Sequence, residues 1–279
     1  MMEARRLSSL LEAVVPLVRR AGEAIEAVRR GPLGTESKAD GSPVTRADRA
    51  AEAILVAGLR DLVPGTAVVS EEGDVETAVA AAGPLCWLVD PLDGTKQFIQ
   101  GLPEFTVNVA LVEAGLPVLG AVLVPAAGTL YLAAQGRGAR RLDANGESRL
   151  AAATVASPRR AVMSRSHLTP ETTALLQALG VTESISRGSS LKMCAVAEGS
   201  ADVYPRLGPT MLWDTAAGAA VATEAGCAVV DLEGRPLRYD VKQGLKHRGF
   251  LVCAPGGVLS ACLRALAAAA STRPPAARA

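Results

Sequence analysis

The residues of this chain that could do chemistry are mostly acids, and they stand where apolar runs end. In Trp87-Leu88-Val89-Asp90-Pro91-Leu92-Asp93-Gly94-Thr95 an apolar strand stops abruptly at two carboxylates, a Pro and a Gly. Carboxylates at the carboxyl end of a buried strand are costly unless a cation compensates them. The Gly-Thr pair that follows offers backbone N–H groups at a helix start, which suits a phosphate. Taken alone, the segment reads equally well as an Asp-Pro-x-Asp-Gly turn in which Asp93 caps a helix. It does not stand alone. Val68-Val69-Ser70-Glu71-Glu72 is another strand ending in acids, and Trp213-Asp214-Thr215-Ala216-Ala217-Gly218 sets an acid at the start of a small-residue helix.

Hard divalent cations such as magnesium prefer carboxylate, carbonyl and water oxygens. His167 and His247 are the only histidines, so zinc is a poor candidate. If Glu71, Asp90, Asp93 and Asp214 converge, their four negative charges balance two divalent cations, and phosphate oxygens complete the coordination. Such a centre can stabilise both the attacking and the leaving oxygen of an in-line displacement. Aspartyl-phosphate chemistry of the haloacid-dehalogenase kind is disfavoured. Its two acids are separated by one residue, whereas Pro91 and Leu92 separate Asp90 from Asp93.

The elements that must position these acids are legible from periodicity. Leu7, Leu10, Leu11, Val14, Val18, Ala21, Ile25 and Val28 predict a helix over 3–30 with an irregularity at Pro16, and Ala50–Leu62 reads as a second. Short β-rich runs follow at Ala67–Val69, Leu85–Val89, Phe105–Val112, Val118–Val124 and Thr129–Ala133, which argues for an antiparallel or mixed sheet. After Ala151 a strand at Ala161–Ser164 and helices near Pro170–Leu179, Ser189–Glu198 and Asp214–Ala225 suggest a second α/β layer set. We therefore expect an α/β (α+β) protein with an N-terminal subdomain at 1–157, a C-terminal subdomain at 158–270 and a frayed tail at 271–279.

Composition narrows the function classes. With 279 residues, 49% hydrophobic but 3% aromatic, the chain is globular and suits two tightly packed subdomains. Its net charge of +1 supplies no broad field for nucleic acid, so a bound anion needs a local site. Cys86, Cys194, Cys227, Cys253 and Cys262 form no CxxC pair and suggest a reducing compartment. The charged N-terminus does not read as a signal peptide, and no stretch reaches the length of a spanning helix, so a cytoplasmic location is expected.

At the three acidic segments the chain closely resembles the inositol-monophosphatase-like, lithium-sensitive phosphatase superfamily. The Glu-Glu strand end, Asp-Pro-[Leu/Ile]-Asp-Gly-Thr and Trp-Asp-x-Ala-[Ala/Gly]-Gly are all intact and in order, and the resemblance runs from Asp40 to Phe250. It implies a layered αβαβα fold. It also implies that Glu71, Asp90 and the Leu92 carbonyl bind one magnesium, that Asp90, Asp93 and Asp214 hold a second, and that Gly94 and Thr95 contact phosphate. Glu71, Leu92, Asp93 and Asp214 would thereby touch substrate too. Thr95 is similar to the family threonine that helps activate water, with Asp48 of Ser42-Pro43-Val44-Thr45-Arg46-Ala47-Asp48 similar to the acid acting beside it. Without the resemblance, Asp48 reads as a helix-start acid facing the dipole. Glu72 is read as a supporting or solvated acid.

Lys96-Gln97-Phe98, Ser164-Arg165-Ser166-His167, Gly188-Ser189-Ser190-Leu191-Lys192 and Tyr204-Pro205-Arg206 look like the branch of CysQ-type 3′(2′),5′-bisphosphate nucleotidases. The implied substrate is a small nucleotide bisphosphate, adenosine 3′,5′-bisphosphate and also its sulfated relative, in sulfur assimilation. A second phosphate needs an anion site away from the metals, which Lys192 and Arg206 could supply, with Ser189 and His167 adding hydrogen bonds. The bland readings are a solvated helix charge for Lys192, a loop residue over apolar surface for Arg206, and a surface or structural histidine for His167. Leu245-Lys246-His247-Arg248 reads as a solvated basic turn. Gln100-Gly101-Leu102-Pro103 departs from the more polar segment ending in Gly-Glu expected of the branch. Inositol monophosphate, fructose bisphosphate or histidinol phosphate are alternative substrates, and a phosphometabolite-binding protein is the alternative of another class. A monomer is the favoured assembly.

Overall fold

The computed structural model describes residues 2–38, 41–164 and 169–272. The early β-rich runs form a seven-stranded sheet in sequence order: Ala67–Ser70, Leu85–Asp93, Thr106–Glu113, Leu116–Val124, Thr129–Ala134, Gly138–Asp143 and Gly146–Leu150. The last two strands were not anticipated, because their polar residues lack a clear alternation. The first pair is parallel and the rest antiparallel. A parallel pair needs a crossover, and here it includes the short helix Val75–Ala81, which the sequence reading also missed.

Side chains alternate across this sheet, and its first five strands are buried on both faces. Trp87, Val89, Val107, Val109 and Leu111 join one core with the helices Ala4–Arg29 and Arg46–Leu62. Cys86, Leu88, Ala110 and Val112 join the other, with the helix Leu212–Glu224. The first helix runs unbroken through Pro16, which lies on its exposed side, where water can satisfy the carbonyl that the ring frees. A β-carbon at Gly120 would lie 2.4 Å from the Ala217 carbonyl oxygen. Glycine at that position is therefore what lets the small-residue face of Leu212–Glu224, and with it Asp214, approach the sheet.

A second sheet of five strands has the order Glu183–Arg187, Arg160–Ser164, Val203–Arg206, Phe250–Cys253 and Ala228–Val230. Most of these strands, and the helix Val258–Thr272, were not expected from the sequence. They are short, and their partners are distant in the chain, so little local pattern marks them. Helices Leu191–Ala197 and Leu212–Glu224 lie between the sheets, while Pro170–Ala178 and Val258–Thr272 cover the outer side. The result is the expected αβαβα layering, with one core cluster running through both sheets. No described helix is long and apolar enough to cross a membrane.

Leu245–Arg248 is not a solvated turn. Lys246–His247 pairs with Thr210–Met211, and the buried His247 ring meets Tyr239 edge-on at 4.8 Å. Its neighbour Phe250 is apolar, so burial holds His247 down at about 4. The folded state then binds fewer protons than the unfolded state between about pH 6.5 and 4, and stability is lost as pH falls through that window. His247→Phe should flatten the acid limb of the stability profile by up to about 3 kcal/mol. Urea unfolding at pH 7 and pH 4 measures this; parallel profiles for wild type and variant would contradict it.

Candidate active site

Asp90 and Asp93 are three residues apart, so in a regular strand they would point to opposite faces. The ladder shows how this is avoided: Asp90 pairs with Asn108 but Asp93 with Thr106, which leaves one extra residue on the acidic strand. That β-bulge turns Asp93 back toward the face carrying Asp90, where Asn108 Nδ2 donates to Asp93 Oδ2 at 3.3 Å. Asp214 enters the same space from the first turn of Leu212–Glu224, its carboxylate accepting from the Met211 N–H at 3.3 Å. Glu71 arrives from the turn after Ala67–Ser70, its N–H bound to the Val89 carbonyl at 3.2 Å. Carboxylate oxygens of Glu71, Asp90 and Asp214 lie within 4.8 Å of one another.

Burial raises Asp90 and Asp214 well above the ordinary carboxylate range, and their acidic neighbours raise them further: Glu71, Asp93 and Asp214 act on Asp90, and Asp93 and Glu71 on Asp214. Asp93 is also raised, by burial, against the pull of Lys192. Mutually repelling buried carboxylates with only oxygen donors fit a hard divalent cation, which would relieve the repulsion. Lys38, from the loop after Glu36–Ser37, donates to Glu71 at 2.9 Å and to Glu72 at 2.5 Å. Sequence reasoning did not single it out. Burial brings Glu72 up to about 6 despite the Lys38 hydrogen bond. Glu72 is thus a supporting acid and not a solvated one.

Gly94 has φ of 95°, and a β-carbon there would lie 3.0 Å from the Glu104 carbonyl oxygen, so glycine is required where the strand turns into the helix Thr95–Ile99. Asp93 does not cap that helix. The Thr95 hydroxyl lies 3.2 Å from Asp48 Oδ1 and 3.1 Å from the Leu92 carbonyl. Asp48 is reached because its helix starts at Arg46, one turn earlier than periodicity indicated. Its other oxygen accepts from the Thr45 N–H at 2.7 Å and the Thr45 hydroxyl at 2.6 Å, closing a capping box. Asp48 therefore serves the helix start with one oxygen and leaves the other facing the Thr95 hydroxyl, so the helix-start role does not compete with the contact that a catalytic role needs. Burial raises its pKa, partly countered by the Thr45 contacts.

Beside the acids is a cavity of about 140 Å³ lined by Asp93, Gly94, Gln97, Ser189, Lys192, Tyr204, Arg206 and Asp214, among others. Lys192 is buried and not a solvated charge. Burial lowers it to about 8 although Asp93 opposes the shift, and its ammonium stands 5.6 Å above the Tyr204 ring. A β-carbon at Gly218 would lie 2.9 Å from Met193 Sδ, so the helix carrying Lys192 packs tightly on the one carrying Asp214. Arg206 ends a strand; its guanidinium is braced by Thr210 Oγ1 and the Pro209 carbonyl, each at 2.9 Å. Ser189 also lines the cavity, but its hydroxyl contacts protein, the Asp93 carbonyl at 3.0 Å and Thr106 Oγ1 at 2.7 Å. His167 lies outside the described residues. After the unexpected Gln100–Pro103 connection, Glu104 accepts from the Gly188 N–H at 3.2 Å and so braces the Ser189 segment. Thr106 and Asn108 were missed; the available signal was two polar residues in the otherwise apolar run Thr106–Val112.

Fold and site together define a phosphatase class built on buried carboxylates, and the chain belongs to the inositol monophosphatase family, whose model matches residues 6–271. Within it, the chain is 46% identical over 245 residues to the 3′(2′),5′-bisphosphate nucleotidase CysQ of Escherichia coli K12, an alignment covering 87% of this chain and 99% of that protein. The crystal structure of CysQ from Bacteroides thetaiotaomicron superposes with a TM-score of 0.76 at 41% identity, over 88% of this chain and 97% of that one. A Thermotoga maritima IMPase gives 0.77 at 27% identity, over 94% and 98%.

Proposed function

We propose that this protein is a magnesium-dependent 3′(2′),5′-bisphosphate nucleotidase that hydrolyses adenosine 3′,5′-bisphosphate to AMP and phosphate. The observation that carries the reading is the cavity's two chemistries: Asp93 and Asp214 on one wall, Lys192 and Arg206 on another. A monophosphate needs the first wall only. The 46% identity to a nucleotidase over nearly its whole length supports the same assignment.

Glu71, Asp90, Asp93, Asp214 and the Leu92 carbonyl are the groups that would hold magnesium, two ions or more. Magnesium, when bound, supplies positive charge to the attacking and leaving oxygens. The chain's own contribution begins with Thr95. When its hydroxyl donates to Asp48, the Thr95 oxygen keeps a lone pair that can accept a proton from a water. Burial makes Asp48 a better acceptor in that relay. The water oxygen forms the new P–O bond as the bond from phosphorus to the 3′ oxygen breaks; the water proton passes to the Thr95–Asp48 pair, and the leaving 3′ oxygen takes a proton from solvent water to become the nucleoside hydroxyl. Gly94 and Thr95 N–H groups face the phosphate, and Lys192 and Arg206 hold the 5′-phosphate. We assign the division between subdomains to 157/158, between the strands Gly146–Leu150 and Arg160–Ser164. A reducing compartment, the cytoplasm, fits five free buried cysteines.

The test is substrate discrimination. Lys192→Ala and Arg206→Ala should each lower kcat/KM for adenosine 3′,5′-bisphosphate by about 10- to 100-fold, the worth of a charge-assisted hydrogen bond, and leave adenosine 3′-monophosphate nearly unaffected. Equal losses on both nucleotides would make these residues structural. Efficient turnover of inositol monophosphate by wild type would make the nucleotidase assignment wrong.

A further inference from the structure

Ser189 adopts a φ of 55°, a left-handed conformation that few residues other than glycine adopt. Hydrogen bonds converge on it from both halves of the site. Its hydroxyl has a single proton, given to the Asp93 carbonyl at 3.0 Å, so it accepts from the Thr106 hydroxyl at 2.7 Å. Its own carbonyl accepts from Lys192 Nζ at 2.5 Å. The residue before it is pressed against the same strand entry: a β-carbon at Gly188 would lie 2.8 Å from the Glu104 carbonyl oxygen. Thr106 is fully buried, stands opposite Asp93 across the bulge, and is absent from the cavity lining. A strained conformation persists only where its surroundings over-determine it, and here they join the acid wall to the cation wall.

We propose that the Thr106–Ser189 pair is a spacer that fixes the separation between the cation-holding acid Asp93, beside which the first phosphate would sit, and the anion site at Lys192. It thereby selects substrates by the distance between their two phosphates. The inference rests on the bisphosphate reading and adds Thr106 as a positioning residue, one that touches no substrate. The φ of Ser189 aims its carbonyl at the lysine, the Thr106 hydroxyl holds Ser189 in that turn, and the Asp93 carbonyl ties the turn to the acidic strand. Removing the Thr106 hydroxyl leaves both walls intact but lets their spacing drift.

Thr106→Val is the variant to make, with Thr106→Ser as the conservative rescue. The expected result is a KM for adenosine 3′,5′-bisphosphate raised about 10-fold with kcat little changed, and turnover of adenosine 3′-monophosphate within about 2-fold of wild type. Thr106→Ser should restore the wild-type KM. Adding Ser189→Gly to Thr106→Val should cost no more on the bisphosphate than Ser189→Gly alone, since both cut one chain of hydrogen bonds. Equal losses on both nucleotides, or additive losses in the double variant, would overturn the spacer. If wild type shows no preference for the bisphosphate, the nucleotidase reading has failed, and the spacer is judged by crystallography of Thr106→Val. A displacement of the Lys192 ammonium relative to Asp93 on the order of 1 Å supports it, because shifts of that size degrade a site. An unmoved ammonium overturns it. If Thr106→Val does not fold, Thr106→Ala is measured in the same way.

Discussion

Asp90→Asn is expected to abolish metal-dependent turnover, by on the order of 10³-fold or more, while the fold persists. The size follows from removing a carboxylate proposed to contact both cations, each worth several kcal/mol of transition-state stabilisation at about tenfold per 1.4 kcal/mol. The persistence of the fold follows from the electrostatics of the site. Burial and the charges of Glu71, Asp93 and Asp214 raise Asp90 far above its unfolded value. Above the unfolded carboxylate pKa the folded protein then holds protons that the unfolded chain does not, and such a group lowers stability as pH rises. Asn removes that unfavourable charge and can still accept the Leu92 N–H, now 3.1 Å from Asp90 Oδ1. Thermal melts at neutral pH should therefore show a metal-free variant at least as stable as metal-free wild type, with a smaller rise on adding magnesium. Substantial turnover by the variant, or full activity of chelated wild type, would remove the two-metal reading; loss of the fold would remove the electrostatic account.

Thr95→Ala should lower kcat by about 10²- to 10⁴-fold, the usual range for a proton-transfer group, with little change in KM. In the proposed mechanism the hydroxyl acts in the transition state and contributes little to holding the nucleotide. Thr95→Ser, which keeps the oxygen, should recover most of the loss. Asp48→Asn is expected to depress kcat in the same direction, and the double variant should be scarcely worse than the poorer single one, because the two side chains are hydrogen-bonded and are proposed to act as one relay. The variants should differ in stability. Asp48 also accepts from Thr45 in the capping box, so Asp48→Ala, which removes the acceptor oxygens, should cost about 1 kcal/mol that Thr95→Ala does not. Steady-state kinetics beside urea unfolding separates these effects. Near-wild-type kcat in Thr95→Ala would leave Thr95 with a structural role alone, through its contacts with Asp48 and the Leu92 carbonyl.

Much of the site was legible because acids at the ends of apolar runs are a local signal. A run such as Trp87–Val89 is buried on both faces, and a charge directly after it must sit at the core's edge, where a cation can reach it. The helix carrying Asp214 was similarly legible from its small residues. Boundaries were less so. The helix at Arg46 was read as starting at Ala50, which hid the turn that aims Asp48 at Thr95. The strands Val203–Arg206 and Phe250–Cys253 pair across some 45 residues, and neither carries a sharp local pattern.

By itself, the sequence determined which residues are acidic, that they end strands or begin a helix, and that their donors are oxygens suited to hard cations. Those properties follow from residue type and from periods of 2 and 3.6 residues. Tertiary structure alone decided which way they point and what lies between them. The extra residue between Asp90 and Asp93 becomes a bulge only because the opposing strand pairs Asn108 with one and Thr106 with the other. Lys192 is a buried cation, and not a surface one, because Gly218 lets its helix close on the next. Ser189 adopts a strained turn because Thr106 and Asp93, about 80 to 100 positions earlier, hold its hydroxyl. His247 is neutral because the aromatic neighbours that desolvate it are brought together by the fold. Orientation, burial and strain depend on pairing and packing between distant segments, and no local window of sequence encodes them.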